Sequence, residues 1–452
     1  MTRLLTRDKS FYRTLGRLML AIVLQNVVAY SVNMADNLML GTYSQIALSG
    51  AATVNQIQFL VQQMTLAIGD SLVAISTQYW ATRRTEPICR LTGLALGAAG
   101  IFSVLVFAAV SLLPHGILSL FTTDAEILAS GAVYLDLIRY TYPLFILSTV
   151  LMSCLRSVET VGVSFAISVV SLVVNCAINY TLIFGRFGFP EMGIRGAAVG
   201  TLVARALELL IVLAYILFRD RKLRLFASNP FHGCLKYRMD YWKLLWRSLV
   251  SYTLWALATP IQAGILGRLS ADAIAANSVS TTLFQYLKVV TRGEASASAV
   301  LIGRTVGENN FGKLREYCRT LQALYLGAGL LLSVALFFIR VPLLSLYVLN
   351  DSAREMANQI LILLCFVFAG MAYQMPCASG IVRGGGDVNY TLYLNVISTW
   401  GIVMPLSFAA AFRWQFPVVA VVFFLNCDQI FKCLPTAIRV NRYKWVRHLT
   451  RD

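Results

Sequence analysis

An aspartate stands where hydrocarbon is expected. The stretch from Leu18 to Gly41 reads LMLAIVLQNVVAYSVNMADNLMLG, and Asp36 sits near its far end. A charge at the centre of a spanning helix costs about 2.5–3.5 kcal/mol, so such residues turn to a partner or a polar path rather than to lipid. Burial disfavours the charged form of a carboxyl. An acid held this way can exchange H⁺ against a cation. One charge moving through about 150 mV contributes roughly 3.5 kcal/mol, enough to sustain a gradient of several hundred-fold.

Asn175 and Asn179, in NCAINYTLIFG, are one helical turn apart on one face. Counted along their apolar runs, they and Asn55 fall at a depth comparable to Asp36. A polar cluster of these residues within the first half of the chain is geometrically possible. A second set is in FQYLKVVTRGEASASAV, where Lys288 and Arg292 share a helix face and Glu294 follows. Its functional reading is a charged lining of the second half or of a central cavity, with Glu294 a second ion or substrate site. Its structural reading is pairing with Asp70 or another acid. Tyr373 reads as a cavity residue. Asp136 with Arg139, and Arg205 with Glu208, are spaced to neutralise each other.

Other chemistries find no residues. The chain has three His, His115, His232 and His448, far apart in sequence. A lipid-modifying enzyme would need clustered His, Asp or Glu. There is no Walker motif for ATP. The nine Cys are scattered, with no paired CxxC spacing, and read as core-filling. The sequence thus predicts a non-enzyme with no catalytic residue, no metal site and no cofactor.

The elements that must position these residues are membrane helices. Hydrophobic residues are 58% of the 452 and charged residues only 13%, against roughly 25% charged in soluble domains. Apolar windows fall near 17–40, 49–75, 91–113, 132–154, 163–185, 196–218, 243–267, 274–301, 318–340, 357–381, 391–412 and 416–437, each about 20 residues or more. Twelve spans put both ends on one side. Of the 38 Lys and Arg, 27 fall in the two ends and the connectors on their side, and six on the other. That bias places both termini in the cytoplasm. It also accounts for the net charge of +17 without nucleic acid. The first apolar run lacks a small-residue cleavage site, so a cleaved signal peptide is not expected.

The longest connector divides the chain. The expected domains are a cytoplasmic segment 1–16, an N-lobe 17–218, a basic linker 219–242, a C-lobe 243–437 and a basic tail 438–452. The halves resemble each other at a spacing near 226 residues. MLGTYSQIALSGA aligns with ILGRLSADAIAAN, sharing Leu40/Leu266, Gly41/Gly267, Ser44/Ser270 and Ala47/Ala273, and LRSVETV aligns with VRGGGDV. Repeats of six spans share one orientation, and transporters built so alternate access by rocking their halves.

The ordered motifs DNLMLG, ALSGA, LRSVE, NCAINYTLIFG, FGFPEMGIRGAAVGT and RGGGD give the chain a resemblance to the multidrug and toxic compound extrusion (MATE) family over nearly its whole length. The resemblance implies an all-α integral membrane protein, twelve transmembrane helices in two repeated six-helix lobes around a central cavity. It implies export of organic, cationic compounds in exchange for H⁺ or Na⁺. In the family a first-span Asp and polar residues of the fifth span form an ion-coupling cluster, matching Asp36, Asn175 and Asn179. Some relatives have a second Asp where Asn179 stands, and some place acids on the seventh and tenth spans; this chain has neither. The expected partners are small cationic organic molecules and membrane lipids, for a monomer in the plasma membrane of a prokaryote. The alternative is a lipid-linked oligosaccharide flippase of the related superfamily, for which Lys288 and Arg292 speak.

Overall fold

The structure is a computed structural model that describes residues 5–226, 229–269, 271–345, 347 and 350–450. Arg3 and Arg451, from the charge count, Ser270, from the repeat, and parts of the predicted 219–242 linker and of both end segments lie outside these residues.

Among the described residues the regular structure is all helix, with no strand. We label the long helices α1 (Lys9–Tyr43), α2 (Gln45–Ala81), α3 (Thr85–Leu112), α4 (Ala125–Ile138 and Thr141–Ser157), α5 (Gly162–Ile183) and α6 (Ile194–Phe218). The second series is α7 (Arg238–Gly267), α8 (Ala271–Gly307), α9 (Phe311–Leu344), α10 (Asp351–Val382), α11 (Val388–Arg413) and α12 (Val418–Asn441). Ten of these are long and apolar enough to cross a membrane, and α4 makes an eleventh although it bends by 52° between its halves. The twelfth predicted span, α8, has the length, but Lys288, Arg292 and Glu294 interrupt its apolar run.

Helix starts are fixed by side chains that accept orphan backbone N–H groups. Ser44 caps α2, Asp124 caps the first half of α4, Asn310 caps α9 and Asn350 caps α10. The described helices join closely where glycines leave room. Gly196 and Gly200 of α6 form a small-xxx-small stripe, and a Cβ on Gly196 would stand 2.7 Å from the Leu182 carbonyl carbon of α5. The widened π-type turn that ends α10, Cys377–Val382, and the residues just after it carry a second such stripe in Gly380 and Gly384.

The chain forms two compact units, Leu24–Leu245 and Met1–Val23 with Trp246–Asp452. This differs from the expected N-lobe of 17–218. The reason is that α1 is 35 residues long, more than one span needs, and its first turns are held by the C-terminal unit. Thr6 donates its backbone N–H to Thr320 Oγ1 at 2.9 Å, and Tyr317 donates its hydroxyl to Asp8 Oδ2 at 2.5 Å. The segment after residue 437 is likewise no free tail. Trp445 is fully buried, and Arg439 and Arg447 both pair with Asp387 of the RGGGD loop.

Candidate functional site

In the unit Leu24–Leu245, α1, α5 and α6 bring three of the predicted residues together. Asn179 Nδ2 donates to Asp36 Oδ1 at 2.5 Å and to Asn175 Oδ1 at 3.4 Å. Asn175 Nδ2 in turn donates to Thr201 Oγ1 of α6 at 3.4 Å. Both asparagines are wholly buried, while Asp36 is half-buried. The ladder forms because positions 175 and 179 stack one turn apart on α5, and because Gly200 has no side chain: a Cβ there would overlap Asn179 Oδ1.

The ladder opens onto a cavity of about 40 Å³ lined by Val28, Ala29, Val32, Ser168, Ser171, Asn175, Thr201, Ala204, Arg205 and Glu208. That is space for a few waters or a small ion, not for a drug-sized molecule. Arg205 Nη1 donates to Glu208 Oε2 at 2.6 Å, and Ser148 of α4 donates to Glu208 Oε1 at 2.9 Å. The guanidinium also rests 5.0 Å from the Phe145 ring centroid and lies within electrostatic range of Asp36. The pair spaced for neutralisation also acts on Asp36. Asp36 and Glu208 share the field of one cation.

Asn55 is half-buried on α2 and, among the described residues, hydrogen bonds to none of this group. Asp136 and Arg139 do pair, at 2.7 Å, on the rim of the α4 bend.

Asp70 is bound to Arg156 at 3.2 Å within its own unit. The acid within range of Lys288 is Asp428 of α12. Asp428 is itself held by Lys432 Nζ at 2.7 Å and Gln429 Nε2 at 2.9 Å. Lys432 also donates to Asn395 Oδ1 of α11 at 3.3 Å, and Gln429 Oε1 accepts from Gln374 Nε2 at 2.7 Å. Lys288 Nζ lies 4.8 Å from the Phe284 ring centroid. Tyr373 is not joined to this set: it is buried and donates to Gln322 Oε1 of α9 at 2.8 Å. Among the described residues no hydrogen bond or ion pair links it to Lys288 or Glu294.

A family model described as MatE matches residues 21–181 and again residues 248–409. The chain belongs to the MATE family. The same model covering both halves accounts for the internal repeat. This MATE chain is 27% identical over 403 residues to the probable multidrug resistance protein NorM of Halalkalibacterium halodurans, covering 87% of this chain and 86% of that one. It is 25% identical over 382 residues to the uncharacterized transporter YisQ of Bacillus subtilis, covering 83% and 82%. Its fold is that of the Vibrio cholerae MATE transporter VcmN in the bent form, with a TM-score of 0.83 at 17% identity over 96% of this chain and 97% of the other. A eukaryotic MATE transporter, AtDTX14, matches with a TM-score of 0.85 over 97% of each chain. A MATE protein is a multi-span membrane transporter, not an enzyme.

Asp428, Gln429 and Lys432 were missed as functional candidates. An Asp and a Lys four apart in the last span, DQIFK, were the available signal. The place of Arg205 beside Asp36 had none, because it depends on how α6 rotates against α1.

Proposed function

We propose that this MATE transporter exports small organic cations in exchange for H⁺ or Na⁺, with Asp36 carrying the coupling. The observation that supports it is the Asp36–Asn179–Asn175–Thr201 ladder beside a water-sized cavity. An ionised Asp36 attracts a cationic substrate, and binding of the coupling ion releases it. Between the two ions the ladder favours H⁺. Sodium needs several oxygens turned toward it, as hard cations do, whereas Asn179 presents its amide N–H groups to Asp36. Arg205 sets how readily Asp36 holds its charge.

The bacterial relatives named as multidrug resistance proteins favour a range of small organic substrates, and family membership favours export over lipid-linked oligosaccharide flipping. The Lys and Arg bias favours both termini in the cytoplasm, for a monomer in a prokaryotic plasma membrane. The test is efflux of ethidium from proteoliposomes with pH and sodium gradients imposed separately. Asp36→Asn should abolish gradient-driven efflux at normal insertion. Efflux at the wild-type rate from that variant overturns the proposal.

A further inference from the structure

Glu294 lies outside the Asp36 group. It is 5% exposed, and its Oε2 has no hydrogen-bond partner among the described residues. Three helices close around its position on α8. Ser298, one turn further on the same face, is hydrogen-bonded to Tyr325 of α9. Ala295 and Ala299 meet the glycine stripe at the end of α10 and just beyond it: a Cβ on Gly380 would stand 2.8 Å from the Ala295 carbonyl oxygen, and one on Gly384 2.7 Å from Ala299 Cα. Gly293 packs on Val23 of α1 so closely that a Cβ would overlap it.

The titratable groups that reach Glu294 from these neighbours are Tyr325 of α9 and Cys377 of α10, both neutral acids. From α1 the contact is Val23, which is apolar. On its own helix, Arg292 is two residues away and so points to another side. Lys288 lies against the Phe284 ring and toward Asp428. No ion pair to Glu294 exists among the described residues.

A carboxylate buried here with its Oε2 unpartnered and no counter-charge among the described residues pays for that oxygen's lost hydration. The acid form does not. We propose that Glu294 is a second proton-binding site of this transporter, in the C-terminal unit and separate from Asp36. Its carboxylate takes one H⁺ to become the carboxylic acid, and the tight α8–α10 seam is the state that the acid form permits. Ionisation favours the parted seam, since a two-state element follows whichever form binds it better. Proton binding at Glu294 is thereby linked to helix movement in that unit. The proposal rests on the ion-coupled reading only in counting protons per cycle.

The experiment has two arms. Infrared spectra of the purified Asp36→Asn protein should show a protonated-carboxyl band near neutral pH, lost when Glu294→Gln is added and restored, shifted, by Glu294→Asp. In proteoliposomes with intact Asp36, Glu294→Gln should take up one proton fewer per ethidium exported, and Glu294→Asp should recover it. A band unchanged by Glu294→Gln overturns the assignment. So does a band that is lost while the proton count stays at the wild-type value, because the proton then never leaves. If Glu294→Gln does not insert, the infrared pH titration of the Asp36→Asn protein against Glu294→Asp decides: a carboxyl band that neither shifts nor titrates differently overturns the proposal. The infrared arm holds whether or not Asp36 couples transport.

Discussion

Asn179 of α5 reaches across 143 positions of sequence to donate its amide to Asp36 of α1, and it has room to do so only because residue 200 of α6 is glycine. Two substitutions on different helices should therefore give one phenotype. Asn179→Ala removes the donor. Gly200→Ala keeps it but drives a methyl into Asn179 Oδ1 and displaces the amide. Hydrogen bonds to charged groups contribute about 1.5–3 kcal/mol. Each variant should cut gradient-driven ethidium efflux by roughly ten-fold or more at normal expression, a loss of about 1.4 kcal/mol per decade. The double variant should be little worse than either alone, as expected for residues acting through one contact. Additive losses would show that Gly200 serves packing alone.

The Arg205–Glu208 pair makes a prediction of opposite sense for its two members. Glu208 is 4% exposed and takes bonds from Arg205 and Ser148. Arg205→Ala leaves it buried with one hydroxyl donor, a change that costs about 3–5 kcal/mol in buried pairs. Thermal unfolding in detergent should show a large drop in Tm. Adding Glu208→Gln should recover most of it, because the orphaned charge is gone. Transport should not recover in the double variant, because Asp36 has still lost the cation within its range. Recovery of both would reduce the pair to architecture.

Much of this was legible in the sequence, and the limits are physical. Eleven of the twelve spans follow from hydropathy, since a bilayer admits few alternatives for an apolar run of this length. The Asp36–Asn179 meeting follows from depth, because residues at one level of neighbouring helices are within reach. Rotation about a helix axis is not written in hydropathy. That is why the Asp70–Arg156 pair and the place of Arg205 within electrostatic range of Asp36 are not legible in residue spacing. The α4 bend was legible and passed over: Pro143 cannot donate to the Arg139 carbonyl one turn earlier, and the helix breaks there. Asp428 and Lys432 were passed over because an i,i+4 pair hides its charge inside an apolar stretch.

That buried pair should behave like a unit. Lys432 and Asp428 are both under one-tenth exposed as residues. Lys432→Met alone should destabilise by about 3–5 kcal/mol, and Lys432→Met with Asp428→Asn by much less. Differential scanning of the purified variants measures this. If Lys288 draws on the same acid, Asp428→Asn should further weaken any dependence of transport on Lys288. Equal stability of the single and double variants would mean that water already reaches the pair.

The N-terminal anchor gives a pH dependence. Asp8 precedes α1, and the Tyr317 hydroxyl, followed by Ser10, lowers its pKa to about 2 from an ordinary 3.8. A carboxyl with a folded-state pKa below its unfolded value adds stability that is fully present above the unfolded pKa. That stability is lost as pH falls through the folded one. The wild type should thus lose its Asp8 contribution only between about pH 4 and pH 2, and should be indifferent to this group at neutral pH. Asp8→Asn and Tyr317→Phe should each remove that acid-dependent part, bringing the two unfolding curves together at low pH. An acid profile identical in wild type and both variants would mean that the contact adds nothing to stability.

The C-terminal segment makes the sharpest test of docking. Trp445 is fully buried, its indole N–H donates to the Val440 carbonyl at 2.9 Å, and its ring occupies the space that a side chain at residue 385 would need. The backbone N–H of Arg447 donates to the Gly385 carbonyl at 2.9 Å, and Gly386 turns the loop at φ +101°, where a side chain would be strained. Trp445→Ala should cost about 3–5 kcal/mol, as for other buried aromatics. Gly385→Ala, a change of one methyl, should expel the ring and approach the same loss. Protease digestion reads the outcome without any transport assay: both variants should be cut after Asn441 far faster than wild type. Slow cleavage of Gly385→Ala would show that the ring and the loop part without disturbing the segment, and that the segment is held instead by the pairing of Arg439 and Arg447 with Asp387.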